Sequence, residues 1–182
     1  MIWTNKCLTS FLPSPTRFLP GTVHYGKCTD GSPRINLSKR LQTKLRTFIR
    51  EGRVAEYRQL KQRQLPFVTP HGVFSRRKSD ALISASGLVV VDIDHLASLE
   101  EAEQLRDHLF EDPYLGTRLA FVSPGGLGVK LFIPGDETVR WAMSYIQLLY
   151  ADTFKGEVDT CGKDIARCCF LSHDSNAKIF IP

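Results

Sequence analysis

Leu88-Val89-Val90-Val91-Asp92-Ile93-Asp94 is the stretch on which the fold of this 182-residue chain turns. Apolar, largely β-branched residues crowded in succession read as a strand buried on both faces. Side chains two apart on a strand share a face, so Asp92 and Asp94 point the same way. Two neighbouring carboxylates repel each other when both are ionised, and a cation between them removes the conflict. Hard divalent cations such as Mg²⁺ or Mn²⁺ take oxygen ligands and complete their shells with phosphate oxygens. The end of this strand is therefore a candidate site for metal-dependent phosphate chemistry. A pair of solvated or helix-capping aspartates is the plain alternative.

Downstream of the strand, Ser98 with Glu101 three residues later forms a capping box, which predicts a helix running to about Phe110. A hairpin follows: a strand over Arg118–Val122, the loop Ser123-Pro124-Gly125-Gly126-Leu127-Gly128, and a strand over Val129–Ile133 closed by Pro134-Gly135. A helix from about Glu137 to Tyr150 and short strands at Glu157–Asp159 and Ile165–Leu171 complete this half. Upstream, Ser38 reads as the N-cap of a helix to about Glu51, with Leu41, Leu45, Phe48 and Ile49 on one face and Gly52 at its end. A second helix over Val54–Gln64 stops at Leu65-Pro66. Thr69-Pro70-His71-Gly72-Val73-Phe74 reads as a turn leading to the basic triplet Arg76-Arg77-Lys78. Residues 1–37 are rich in Pro, Gly, Thr and Ser, with one short strand expected around Thr22–Tyr25. The mixture of helices and hairpins predicts an α+β fold in a single domain, with a basic helical part at 1–66 and a core at 67–182.

Charge is unevenly distributed. Residues 1–80 carry 16 Lys/Arg against 4 Asp/Glu, and residues 81–182 carry 8 against 15. A basic half beside an acidic half suits an enzyme that holds phosphates with one part and cations with the other, although a solvated basic helix face gives the same excess. No apolar run approaches the length of a membrane span and no signal-peptide pattern opens the chain, which predicts a cytoplasmic protein. Five cysteines without regular spacing read as reduced thiols; Cys161, Cys168, Cys169 and His173 lack the close ligand spacing of structural zinc sites.

Three further groups are candidates for chemistry. The loop Ser123–Gly128, with Gly125, Gly126 and Gly128 and then Lys130, can offer backbone N–H groups, a hydroxyl and a cation to a triphosphate, or can be a simple hairpin loop. It lacks the Gly-Lys-Ser/Thr ending of a P-loop. Asp159 or Asp164 can supply a third carboxylate, and Arg167 can meet a phosphate. His173 ends a strand beside Asp174 and is either a polar terminus or a functional imidazole. Asp92 and Asp94 also admit a phosphatase reading, nucleophile and general acid, which resembles the haloacid-dehalogenase family. Leu96 stands where that family's motif has Thr or Val.

Taken in order, Leu60-Lys61, Leu65-Pro66, Thr69–Phe74, Ser86–Asp94, Ser123–Lys130 and Asp159 through Asp174 resemble the VirE N-terminal domain family of Bacteroides-type primase/helicase proteins. That family is a divergent branch of the archaeo-eukaryotic primase, or primase-polymerase, superfamily. The resemblance implies an RRM-like catalytic core and a nucleotidyltransferase that uses Mg²⁺ or Mn²⁺ and nucleoside triphosphates in mobile-element or plasmid replication. It implies a DNA or RNA template and a helicase domain or protein as partners. Asp92, Asp94 and Asp159 then match the metal-binding aspartates, with Asp164 as the fallback for the third. Ser123, Gly125, Gly126, Gly128, Lys130, Arg167 and His173 fall to the nucleotide, and Arg76, Arg77 and Lys78 to nucleic acid. Lys130 stands where the superfamily carries histidine. A catalytically weak nucleic-acid-binding module is the alternative that the same motifs allow.

Overall fold

The computed structural model describes residues 26–27, 33–34, 39–135, 139–150, 152–154, 156–159 and 164–180. The strand expected around Thr22–Tyr25 lies outside them. The first described elements are β1 (Gly26–Lys27) and β2 (Pro33–Arg34), a short antiparallel pair.

The two basic helices stand where the pattern places them. In α1 (Lys39–Arg50), Leu45 and Phe48 are buried and Leu41 and Ile49 partly so, which is the expected apolar face. Gly52, at φ +70°, supplies the left-handed turn, and the Arg53 guanidinium lies 4.4 Å over the Phe48 ring. In α2 (Val54–Gln64) no residue is fully buried, and Tyr57, Leu60 and Lys61 form its half-buried side. The helix ends at Leu65, whose backbone is extended before Pro66.

Between the helices and the core strand the chain forms three short strands, β3 (Phe67–Val68), β4 (Gly72–Phe74) and β5 (Leu82–Ala85). The segment read as a plain turn, Thr69–Phe74, turns only at its start, where Gly72 N–H donates to Thr69 O at 3.2 Å, and then becomes β4. β4 pairs antiparallel with β5, and a Cβ on Gly72 would collide with the Ser84 carbonyl, so glycine permits the pairing. All four residues of β5 are exposed, which leaves no hydrophobic alternation to reveal it.

The core is a five-stranded antiparallel sheet. β6 (Leu88–Asp94) is an inner strand, between β8 (Val129–Pro134) and the edge strand β9 (Glu157–Val158). β7 (Leu119–Val122) flanks β8, and β11 (Lys178–Ile179) forms the edge beyond β7. The order is β11-β7-β8-β6-β9. One face carries Val89, Val91, Ile93, Val129, Leu131 and Ile133. It packs on α3 (Leu99–Glu111), through Ala102, Leu105 and Leu109, and on α4 (Val139–Tyr150), through Ala142, Met143 and Ile146. The other face carries Val90, Phe121 and Phe132 against Val68, Cys169 and Leu171. The first six residues of β6 are buried, as a strand covered on both sides requires.

The capping box of α3 forms as expected: Ser98 Oγ accepts the Glu101 N–H at 3.0 Å, and Glu101 Oε2 accepts the Ala97 N–H at 2.5 Å. The strand expected over Ile165–Leu171 is shorter. Asp164–Arg167 is a turn, and only Cys169–Phe170 (β10) is extended, pairing with β3 instead of joining the main sheet. The fold is thus α+β, with antiparallel sheets and flanking helices. Among the described residues no helix is long and apolar enough to cross a membrane.

Candidate metal centre

Strand parity places Asp92 and Asp94 on the face of β6 opposite α3 and α4, at the end where the sheet meets the β7–β8 loop. β9 brings the third carboxylate. Its pairing with β6 continues one residue past Val158, where the Asp159 N–H donates to Asp92 O at 2.8 Å. Asp92, Asp94 and Asp159 each offer an oxygen within 4.8 Å of the others, and among the described residues no other group of His, Cys, Asp or Glu is so arranged. Asp164 is not part of it: its exposed carboxylate accepts Ser79 Oγ at 3.1 Å and the Ala166 N–H at 2.9 Å.

Two cations enter the cluster. The β6–β8 register sets Lys130 directly opposite Asp92, and its ammonium pairs with Asp92 Oδ2. Arg167 pairs with Asp159 Oδ2 and reaches Asp92 Oδ2 at 4.0 Å. Burial opposes the Lys130 charge, but the contact with the Asp92 carboxylate and the nearby Asp94 outweigh it and raise the pKa. Burial pushes the Cys169 thiol up to about 12, so it stays neutral and packs as a small apolar group. Three carboxylates and two cations leave the cluster one negative charge when all are ionised.

That residual charge has a location. Asp92 is 7% exposed, and its Oδ1 is buried with no hydrogen-bond partner. A buried, unpaired carboxylate oxygen is costly, and a divalent cation relieves it. Asp94 makes no ion pair among the described residues, and burial, then the neighbouring Asp92 charge, raise its pKa. An all-carboxylate donor set of this kind suits Mg²⁺ or Mn²⁺ and does not suit the softer metals.

Gly128 is the loop residue that the site needs. A Cβ there would stand 2.5 Å from Ile93 O and 2.9 Å from Asp94 Oδ1, so only glycine lets the loop close on the strand end. Ser123 is buried beside it, with its N–H donating to Gly128 O at 2.8 Å. Gly125 and Gly126 face the basic helices: a Cβ would lie 3.3 Å from Tyr57 Oη and 3.3 Å from Arg46 Nε respectively. Helix packing therefore accounts for those two glycines. α1 adds a tether, Gln42 Nε2 to Pro124 O at 2.6 Å.

The remaining candidates lie around this centre. His173 is half-buried, and its backbone N–H donates to Gln42 Oε1 at 3.4 Å, on the α1 side of the loop. Arg76, Arg77 and Lys78 are exposed in the β4–β5 connection. Arg76 pairs with Asp80 at 3.0 Å, and Arg77 lies 3.6 Å from Cys168 Sγ, next to Arg167. Cys168 and Cys169 are free thiols, and Cys161 lies outside the described residues. Two residues enter the site to which the sequence assigned no role there, Tyr57 and Lys61 of α2, although Leu60-Lys61 is among the stretches that carry the family resemblance. Burial, aided by the Asp94 and Asp92 charges and opposed by Lys130, moves the Tyr57 hydroxyl up to about 12. Their four-residue spacing on one helix face is the only sequence signal that joins them.

Residues 60–178 match the family described as BT4734-like, N-terminal domain. No curated protein and no solved structure matches the chain.

Proposed function

The chain belongs to the BT4734-like, N-terminal domain family, and from that premise we propose that it is a divalent-metal-dependent nucleotidyltransferase of primase-polymerase type. The observation that carries this reading is the trio Asp92, Asp94 and Asp159, with the orphaned Asp92 Oδ1 among them. The sheet supports it: the unit β6-α3-β7-β8-α4-β9 has strand order β7-β8-β6-β9, which is compatible with the RRM-like core that the resemblance implies.

In this reading Asp92, Asp94 and Asp159 hold Mg²⁺ or Mn²⁺. When bound, the cation neutralises phosphate charge and favours ionisation of an attacking hydroxyl. Lys130 fixes the Asp92 carboxylate, Arg167 fixes Asp159, and both border the place of a nucleoside triphosphate. Gly128 and Ser123 close the loop beside it, and His173 with Gly125 and Gly126 lines the side toward α1. Arg76, Arg77, Lys78 and the exposed cations of α1 and α2 track the phosphates of a DNA or RNA template. The work belongs to a cytoplasmic replication protein acting with a helicase domain or partner. The single domain then divides at 66/67 into a basic helical part and a catalytic core.

Asp94→Asn is the cleanest test, because it removes a ligand without stranding Lys130 or Arg167. Primer extension with Mn²⁺ and both ribo- and deoxynucleotides should fall more than about a hundredfold, beyond the loss that an outer-shell partner causes. The Mn²⁺-dependent rise in melting temperature should vanish, while metal-free melting stays unchanged or rises. Wild-type extension in the variant would sink the proposal. A nucleic-acid-binding module without chemistry is the second reading, favoured by the exposed basic side chains of α1 and α2. It predicts salt-sensitive template binding and no melting shift with Mn²⁺ and a nucleotide.

A further inference from the structure

Lys130 and Arg167 are both held by carboxylates of the cluster. A triphosphate arriving beside the bound metal is drawn further by a cation that no carboxylate of the cluster holds, and α2 supplies one. Lys61 Nζ lies 5.2 Å from the centre of the Tyr57 ring and 5.1 Å from that of Phe170. Tyr57 sits against Gly125 of the loop, and Phe170 belongs to β10, three residues after Arg167. The ammonium is thus held between two rings that border the glycine loop and the Arg167 segment.

Aromatic faces orient an ammonium without neutralising it, and among the described residues Lys61 has no ion-pair partner. A surface lysine ordinarily lays its stem along apolar surface and holds its ammonium out in water. In Lys61 the ammonium itself lies against the Tyr57 and Phe170 rings, and its charge is felt by Asp92, Asp94 and Lys130. Burial, and then Lys130, lower its pKa, while Asp92 and Asp94 raise it.

We infer that Lys61 is the polyphosphate-binding cation of the site, its ammonium presented by Tyr57 and Phe170 to the phosphates of a nucleoside triphosphate. The inference rests on the nucleotide reading given above. An ammonium acts on phosphate as a compact point charge, so Lys61 needs no bidentate geometry. It also gives the rings a role: they fix the charge at the rim of the acidic cluster without cancelling it.

Lys61→Met keeps the stem between the rings and removes the charge; Lys61→Arg restores a charge. Titration calorimetry with dGTP and with inorganic tripolyphosphate, each with Mg²⁺, should show both binding roughly tenfold weaker in Lys61→Met, with most of the affinity regained in Lys61→Arg. Mn²⁺ binding alone, read by electron paramagnetic resonance, should not weaken. Wild-type dGTP affinity in Lys61→Met overturns the inference, and so does a loss of Mn²⁺ binding, which would place Lys61 in the support of the cluster. Failure of the wild-type protein itself to bind dGTP overturns the nucleotide reading and this inference with it.

Discussion

Lys130 decides how the acidic strand end behaves before any ligand arrives. It is 9% exposed, lies opposite Asp92 in the β6–β8 register, and leaves only Asp92 Oδ1 unsatisfied. Removing one partner of a buried pair strands the other, at a cost of about 3 kcal/mol. Lys130→Met should therefore lower metal-free stability by about that amount in chemical denaturation. It should also tighten Mn²⁺ binding, because the cluster then carries one more negative charge. Unaltered Mn²⁺ affinity would show that Lys130 does not set the electrostatics of the cluster. Asp92 and Asp94 were legible because strand parity is a local property. Lys130 is legible as a cation near a loop, but its pairing with Asp92 is not, because register between β6 and β8 depends on the course of the 34 residues between them. For the same reason the place of Lys61 is not legible in the sequence: nothing local reports that α2 lies beside β10.

At the level of elements, the β7–β8 loop and the end of β6 form one unit, and Gly128 is the contact between them. Gly128→Ala places a methyl group against Ile93 O and Asp94 Oδ1. Overpacking of this kind costs about 1–3 kcal/mol. The variant should also lose Mn²⁺ affinity, because the displaced carboxylate is a ligand; a stability loss with Mn²⁺ binding intact would separate the loop from the site. Elements with a strong local signature were legible: α1, α2, α3 with its capping box, the β7–β8 hairpin and β6. Those missed were short strands without alternation. β5 is exposed throughout, and β3 and β11 are two residues each, so their extension comes from the strands they pair with.

Across the whole molecule, Asp174 joins parts distant in sequence. Its carboxylate takes Arg106 Nη1 of α3 at 3.0 and 3.2 Å, the Val122 N–H of β7 at 2.8 Å and the Asn176 N–H at 3.0 Å. The pair is nearly sealed from water, with side-chain exposures of 3% and 5%. Asp174→Ala should cost about 3 kcal/mol in chemical denaturation, since it strips the buried guanidinium of its buried partner, leaving only the more exposed Asp107, and leaves a buried N–H unmatched. A loss under about 1 kcal/mol, the scale of an exposed pair, would show that water reaches the gap. His173-Asp174 drew attention in the sequence for its imidazole, yet the aspartate carries the structural burden, and only the tertiary fold could reveal that.

The outer border of β7 is closed in two ways. β11 pairs with Leu119 and Ala120, and beyond it Ser172 Oγ donates to Val122 O while Asp174 accepts the Val122 N–H. Side chains thus occupy the hydrogen-bonding groups that a longer edge strand would otherwise fill. An open border of this kind recruits strands from other molecules and seeds aggregation. Ser172 and Asp174 consequently act as a guard on the colloidal behaviour of the protein, keeping the apolar sequence Leu119-Ala120-Phe121-Val122 from becoming a template for its neighbours.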